Sequence, residues 1–99
     1  MITNMKGAFS VKGKNVLVTG GNRGIGEGIV QAFAQSGANV AIMARDEKAA
    51  QKVLADIRSC GGNYLFFKGD VIKKEDCERV IHSVNKEFNQ DSQLVLVHR

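Results

Sequence analysis

The sequence predicts an α/β fold in which one layer of parallel sheet lies between helices, and three observations lead there. Four short apolar, β-branched runs alternate with three stretches whose apolar residues recur at helical spacing. The runs are nearly continuous in apolar character rather than alternating, which suits strands buried on both faces of a parallel sheet. Strand–helix–strand, repeated three times, implies parallel strands joined by right-handed crossovers.

The first run, residues 16–19 (Val-Leu-Val-Thr), follows the turn-forming pair Gly13-Lys14 and leads into glycines. Asn39–Ala44, Tyr64–Lys68 and residues 94–97 (Leu-Val-Leu-Val) are the second, third and fourth runs. Between the first two, Ile25, Ile29, Ala32 and Phe33 share a helical face, and Ser36-Gly37 ends that helix with a left-handed cap. Gly28 lies inside this helix at a cost of roughly 1 kcal/mol relative to Ala, and close packing is the reason assigned to it. The second helix carries Ala50, Val53, Leu54 and Ile57, with Asp46 as its N-cap and an end near Gly61-Gly62. Asp46 and Glu47 are read as cap residues pointing away from the strand ends. The third helix has the cleanest stripe: Cys77, Val80, Ile81, Val84 and Phe88, spaced i, i+3, i+4, i+7, i+11. Glu75 and Asp76 lie in its first turn, where negative charge favours the helix dipole.

At 99 residues the chain has room for one small domain. Its net charge of +4 raises the question of nucleic acid. The Lys and Arg are interspersed with Asp and Glu and accompany no aromatic-rich basic stripe, so they read as solvated surface instead. No apolar run approaches the ~20 residues needed to span a bilayer, and the N-terminus has no apolar core segment. Cys60 and Cys77 form no Cys-x-x-Cys pair and have no His at metal spacing. These observations predict reduced thiols in a cytoplasmic protein, with no metal, membrane or nucleic-acid partner.

The informative segment is Thr19-Gly20-Gly21-Asn22-Arg23-Gly24-Ile25-Gly26, between the first strand and the first helix. A phosphate needs backbone N–H groups pointing at it and no side chain in the way. Gly20 permits a tight turn off the strand, Gly24 lets the backbone approach a pyrophosphate, and Gly26 lets the helix start lie against the sheet. The helix N-terminus adds positive dipole toward the anion. In this strand–turn–helix context the glycines point to a dinucleotide site rather than to a flexible connection.

The spacing Gly-x-x-x-Gly-x-Gly, preceded by Thr19, resembles that of the short-chain dehydrogenase/reductase family. The resemblance spans about residues 9 to 90 and includes Gly13-Lys14, Ala44-Arg45 after the second strand, and Gly69-Asp70-Val71 after the third. It implies a Rossmann-type sheet of strand order 3-2-1-4 and a cofactor of the nicotinamide dinucleotide class, with residues 1–99 forming part of that domain. An NAD-preferring site usually has Asp or Glu at the end of the second strand, for the ribose 2′-OH. Here Ala44 leaves room there, and Arg45 can fork onto a 2′-phosphate, with Arg23 approaching from the glycine turn. NADP(H) is therefore expected over NAD(H). In the family, a pair like Asp70-Val71 contacts adenine, the carboxylate accepting from its amino group; the alternative reading is an Asp in the turn after a strand. Where the family often has Thr or Ser next, this chain has Ile72, which leaves the third helix without an evident cap.

The resemblance also implies an Asn-Asn-Ala-Gly turn after the fourth strand, a catalytic Ser and a Tyr-x-x-x-Lys, and none of these is present where expected. Tyr64 and Lys68 match the last pattern literally, but a strand would hold them about 13 Å apart, whereas catalysis needs neighbours on one helical face. No catalytic residue is assigned. The expectation is the cofactor-binding part of an oxidoreductase, C-terminally incomplete, whose whole protein moves hydride between NADP(H) and a carbonyl or secondary alcohol. The alternatives are a stand-alone NADP(H)-binding regulatory module and a non-functional truncated remnant. Residues 94–97 would form a strand with an unprotected outer edge, so self-association through that edge is also expected.

Overall fold

The computed structural model describes residues 12–20, 24–88 and 94–98. The elements run β1 (Asn15–Thr19), α1 (Gly24–Gln35), β2 (Asn39–Ala44), α2 (Glu47–Ile57), a single 3₁₀ turn (Arg58–Cys60), β3 (Tyr64–Lys68), α3 (Lys74–Glu87) and β4 (Leu94–His98). All strand pairs are parallel and the sheet order is β3-β2-β1-β4, as expected. The 3₁₀ turn was not foreseen. It draws out the end of α2 before Gly61, whose φ of +85° closes it.

The pleat divides the core in two. On one face Val16, Val18, Val40 and Ile42 meet Val30 and Ala34 of α1 and Val53, Leu54 and Ile57 of α2. On the other, Leu17, Ala41 and Met43 meet Val80 and Val84 of α3 and the buried Phe88 just beyond it. Two crossovers therefore lie on one face and build the sheet outward through β2 and β3. The third lies on the opposite face and returns the chain to the far side of β1. The strand order reverses at β1, the topological switch point outside which α/β sheets bind ligands.

Burial on both faces holds for β1 and β2, whose residues are buried almost throughout. It does not hold for β3 and β4. Residues 64–67 are only half-buried, and Leu96 is 56% exposed. These two are the edge strands of the described sheet, and among the described residues each has a neighbour on one side alone.

The helix ends follow their sequence signals. Gly37, at φ +90°, is the left-handed cap after α1. Asp46 is the N-cap of α2 and its carboxylate accepts from the Ala49 N–H at 3.2 Å. Gly28 is a correction. It is exposed, and among the described residues nothing lies within 4 Å of where a Cβ would stand. Packing does not explain it.

At the amino ends of the strands, buried Asn15 accepts from Asn39 Nδ2 at 3.1 Å, and Asn39 Oδ1 accepts from the Asn63 N–H at 3.1 Å. These side chains tie the feet of β1, β2 and the approach to β3 into one register. Among the described residues no helix is long and apolar enough to cross a membrane.

Candidate functional site

The carboxyl ends of β1, β2 and β3 open onto a cleft of about 800 Å³, within the range of small-molecule and cofactor sites. Its walls come from three connections. Gly20 follows β1; Ala44, Arg45, Asp46, Glu47 and Lys48 join β2 to the first turn of α2; Gly69, Asp70, Val71 and Ile72 follow β3. Met43 forms part of the floor.

Two of the connections are tied to the neighbouring strand, β2. Gly20 has φ +72°, a left-handed conformation that L side chains rarely adopt, and its N–H donates to Met43 O at 2.8 Å. The Gly69 N–H donates to Ala44 O at 3.1 Å. The β1 and β3 turns are thereby pinned to β2 between them.

The turn after β3 is the most heavily bonded. Asp70 Oδ1 accepts from the Ile72 N–H at 3.0 Å, an Asx-type turn, and the Asp70 carbonyl accepts from the Lys73 N–H at 2.9 Å. The Asp70 N–H donates to Asp76 Oδ2 at 2.8 Å. That bond is the main cause holding the Asp76 carboxyl below its ordinary value of 3.8; partial desolvation opposes it, and the positive charges of Arg79 and Lys73 assist. Val71 is 40% exposed and Ile72 86%, so two apolar side chains stand on the rim of the cleft.

Of the residues expected to bind a dinucleotide, Gly20, Arg45, Asp70 and Val71 line this one cleft. Gly24, Ile25 and Gly26 are the first three residues of α1, which begins on the connection leaving β1. Asn22 and Arg23 lie outside the described residues. Thr19 is placed differently. It is buried beneath the turn, its hydroxyl lies 3.5 Å from Val97 O of β4, and it lines a separate apolar groove of about 200 Å³ with Leu17, Met43, Val71, Cys77, Ile81 and Leu96.

Asp46 and Glu47 contribute to the cleft lining, and Asp46 is the helix cap expected of it. A helix that starts directly after a strand has its cap at the rim of the sheet, so the capping role of Asp46 and its place beside Arg45 come together. Lys48 and Ile72 also line the cleft; Lys48 was not singled out from the sequence, and Ile72 only for the cap it does not supply. Lys48 had a usable signal, a cation in the first turn after the cofactor-selecting position.

Tyr64 and Lys68 are the first and last residues of β3, at opposite ends of the strand. The Tyr64 hydroxyl accepts from the Gly62 N–H at 2.9 Å, at the foot of the sheet and away from the cleft. They form no helical pair.

A parallel sheet of this order, with a glycine turn at its switch point and a cleft across its carboxyl ends, defines a Rossmann-type nucleotide-binding fold. The short chain dehydrogenase family model matches residues 14–97, and the chain belongs to that family of NAD(P)-dependent oxidoreductases. It is 36% identical over 80 residues to the peroxisomal 2,4-dienoyl-CoA reductase of Arabidopsis thaliana, covering 81% of this chain and 27% of that protein. It is 37% identical over 84 residues to general stress protein 39 of Bacillus subtilis, covering 84% of this chain and 29% of that one. Among solved structures, the NADH-dependent reductase A1-R′ complexed with NAD superposes with a TM-score of 0.76 at 31% identity, over 89% of this chain and 36% of that one. The chain thus spans less than a third of the length of these two curated relatives.

Proposed function

We propose that this chain is the NADP(H)-binding part of a short-chain dehydrogenase/reductase. The observation that carries the reading is the convergence of Gly20, Arg45, Asp70 and Val71 on one cleft at the switch point. In this reading the turn from Gly20 into α1, including Asn22, Gly24, Ile25 and Gly26, offers backbone N–H groups and helix dipole to the pyrophosphate. Thr19, expected at the same site, ends β1 and leads into that turn. Asp70 accepts from the adenine amino group through Oδ2, which has no partner among the described residues, and Val71 flanks the ring.

The relative bound to NAD makes the choice of phosphate the point to test. Arg45 is exposed on the cleft wall where an NAD site usually has an acid, and Lys48 adds a second cation one helical turn along. Asp46 is occupied as a helix cap, which draws its charge toward the Ala49 N–H. Arg45, with Arg23 from the glycine turn, therefore receives the 2′-phosphate. When bound, the cofactor supplies the hydride, and the activity proposed for the whole protein is its exchange with a carbonyl or secondary alcohol.

The test is an affinity comparison. A charge-assisted Arg–phosphate bond contributes about 1.5–3 kcal/mol, roughly ten- to a hundredfold in affinity. Titration by cofactor fluorescence is expected to give tighter binding of NADPH than of NADH, a preference that Arg45→Asp erases or reverses. Equal affinities in the parent chain would show Arg45 to be an ordinary surface residue.

A further inference from the structure

The adenine-side turn is the part of the cleft whose shape depends most on residues outside it. The N-cap of α3 is Lys73, whose side chain makes no capping hydrogen bond. The third helical residue takes over instead. Asp76 reaches back past the cap to accept from the Asp70 N–H at 2.8 Å. One turn along, Arg79 Nη2 donates to Lys68 O at 2.9 Å and lies 3.6 Å from Asp76 Oδ1. Cys77 Sγ, between them, donates to Val71 O at 3.3 Å. Neighbouring side chains of one helix thus hold the backbone on both sides of Gly69.

Gly69 is what allows them so close. A Cβ there would stand 2.8 Å from Met43 Cε, 3.3 Å from Arg79 Nη2 and 3.5 Å from Asp76 Cβ. With the Gly69 N–H on Ala44 O, the turn is gripped between α3 and β2. The Asp70 carboxylate is then oriented from both ends: its own N–H is committed to Asp76, and its Oδ1 is committed to the Ile72 N–H.

We propose that Asp76 and Arg79 are positioning residues for adenine, which do not touch the ligand but fix the Asp70-Val71 turn so that the site distinguishes a 6-amino purine from a 6-oxo purine. This rests on the dinucleotide reading above. An exocyclic amino group donates to Asp70; a carbonyl at the same place meets it oxygen to oxygen. A turn free to swing loses that discrimination while still admitting the ring.

The experiment titrates the full chain and its variants with NADPH and with the hypoxanthine analogue of NADPH, following cofactor fluorescence, with circular dichroism to establish folding. The parent is expected to favour the adenine cofactor by about tenfold, the yield of one hydrogen bond to a charged group. Asp76→Ala is expected to bring the ratio close to one while affinity for the hypoxanthine analogue stays within about twofold. Asp76→Asn keeps an acceptor for the Asp70 N–H and is expected to retain most of the preference. Arg79→Ala gives an intermediate ratio, and it carries the test if Asp76→Ala does not fold. An unchanged ratio in folded Asp76→Ala and Arg79→Ala overturns the inference, as does equal weakening of both cofactors. A parent that binds both analogues alike overturns it too, while leaving the dinucleotide reading in place. A parent that binds neither overturns both.

Discussion

On the β2 side of the sheet both faces are covered, by α1 and α2 over Val40 and Ile42 and by α3 over Ala41 and Met43. On the β4 side the cover is uneven. Val95 and Val97 pack against the α1/α2 core, whereas Leu96, facing the other way, is 56% exposed at the edge of the apolar groove. Composition does not separate these strands, since Val-Ala-Ile-Met and Leu-Val-Leu-Val are both unbroken apolar runs. What separates them is position in the sheet. The cleft proposed for adenosine stands on the well-covered flank, where the turns at Gly20 and Gly69 bond to β2, and its lining includes no residue of β4.

The largest effect expected from this contrast is in stability. Ile42→Ala removes a fully buried side chain and is expected to cost about 2–5 kcal/mol, whereas Leu96→Ala is expected to stay within about 0.5 kcal/mol. Paired urea melts of the two variants would measure the difference, and equal losses would mean that the β4 flank is as well covered as the other. On the same flank, Leu96→Lys puts charge on an exposed edge-strand position without opening the core, and we expect it to reduce concentration-dependent association in sedimentation velocity. It serves better than a change at Val95, which packs against the core.

A smaller gain is expected at Gly28. Gly28→Ala, in a helical position with open space around it, should stabilise the chain by about 0.5–1 kcal/mol, read as a raised Tm. A lowered Tm would show that the glycine has a packing role after all. The smallest effect concerns Asp76, partly buried and paired with the exposed Arg79. Its folded-state pKa lies below the ordinary 3.8, so its contribution to stability is complete above that value and is lost as pH falls through the lowered pKa. The stability gap between the parent and Asp76→Ala should therefore be open at neutral pH and close in acid below 3.8. A gap that persists unchanged there would assign the loss to packing rather than to the carboxylate.

The strands, their order and the helix faces were legible because each rests on a local pattern read against one topological rule. The turn at Gly20 was legible because a tight exit from a strand selects a residue that tolerates positive φ. Burial of β3 and β4 was misjudged because an apolar run shows what a strand can bury, not what reaches it. The capping role of Asp46 was legible, but a cap says nothing about which cavity a helix start lines. Asp76 was read as a favourable charge near a dipole. Its bond to the Asp70 N–H depends on how the β3–α3 turn folds back, and the sequence offered only a hint: an acid at the third helical position with no capping residue before it.

The asparagines at the foot of the sheet lie at the end opposite the cleft, yet they bear on its geometry. Parallel strands of fixed rise act as struts of set length, so aligning their lower ends also levels their upper ones. With Asn15 opposite Asn39, Thr19 falls opposite Met43, and Met43 opposite Phe67. Gly20, Arg45 and Gly69 accordingly leave the sheet at nearly one height, and the turns at Gly20 and Gly69 can both bond to β2. A single residue inserted into β2 would leave the foot bonded and lift Arg45 by about 3.3 Å against its neighbours. Two amide side chains thus act as a datum line for a cleft at the opposite end of the sheet.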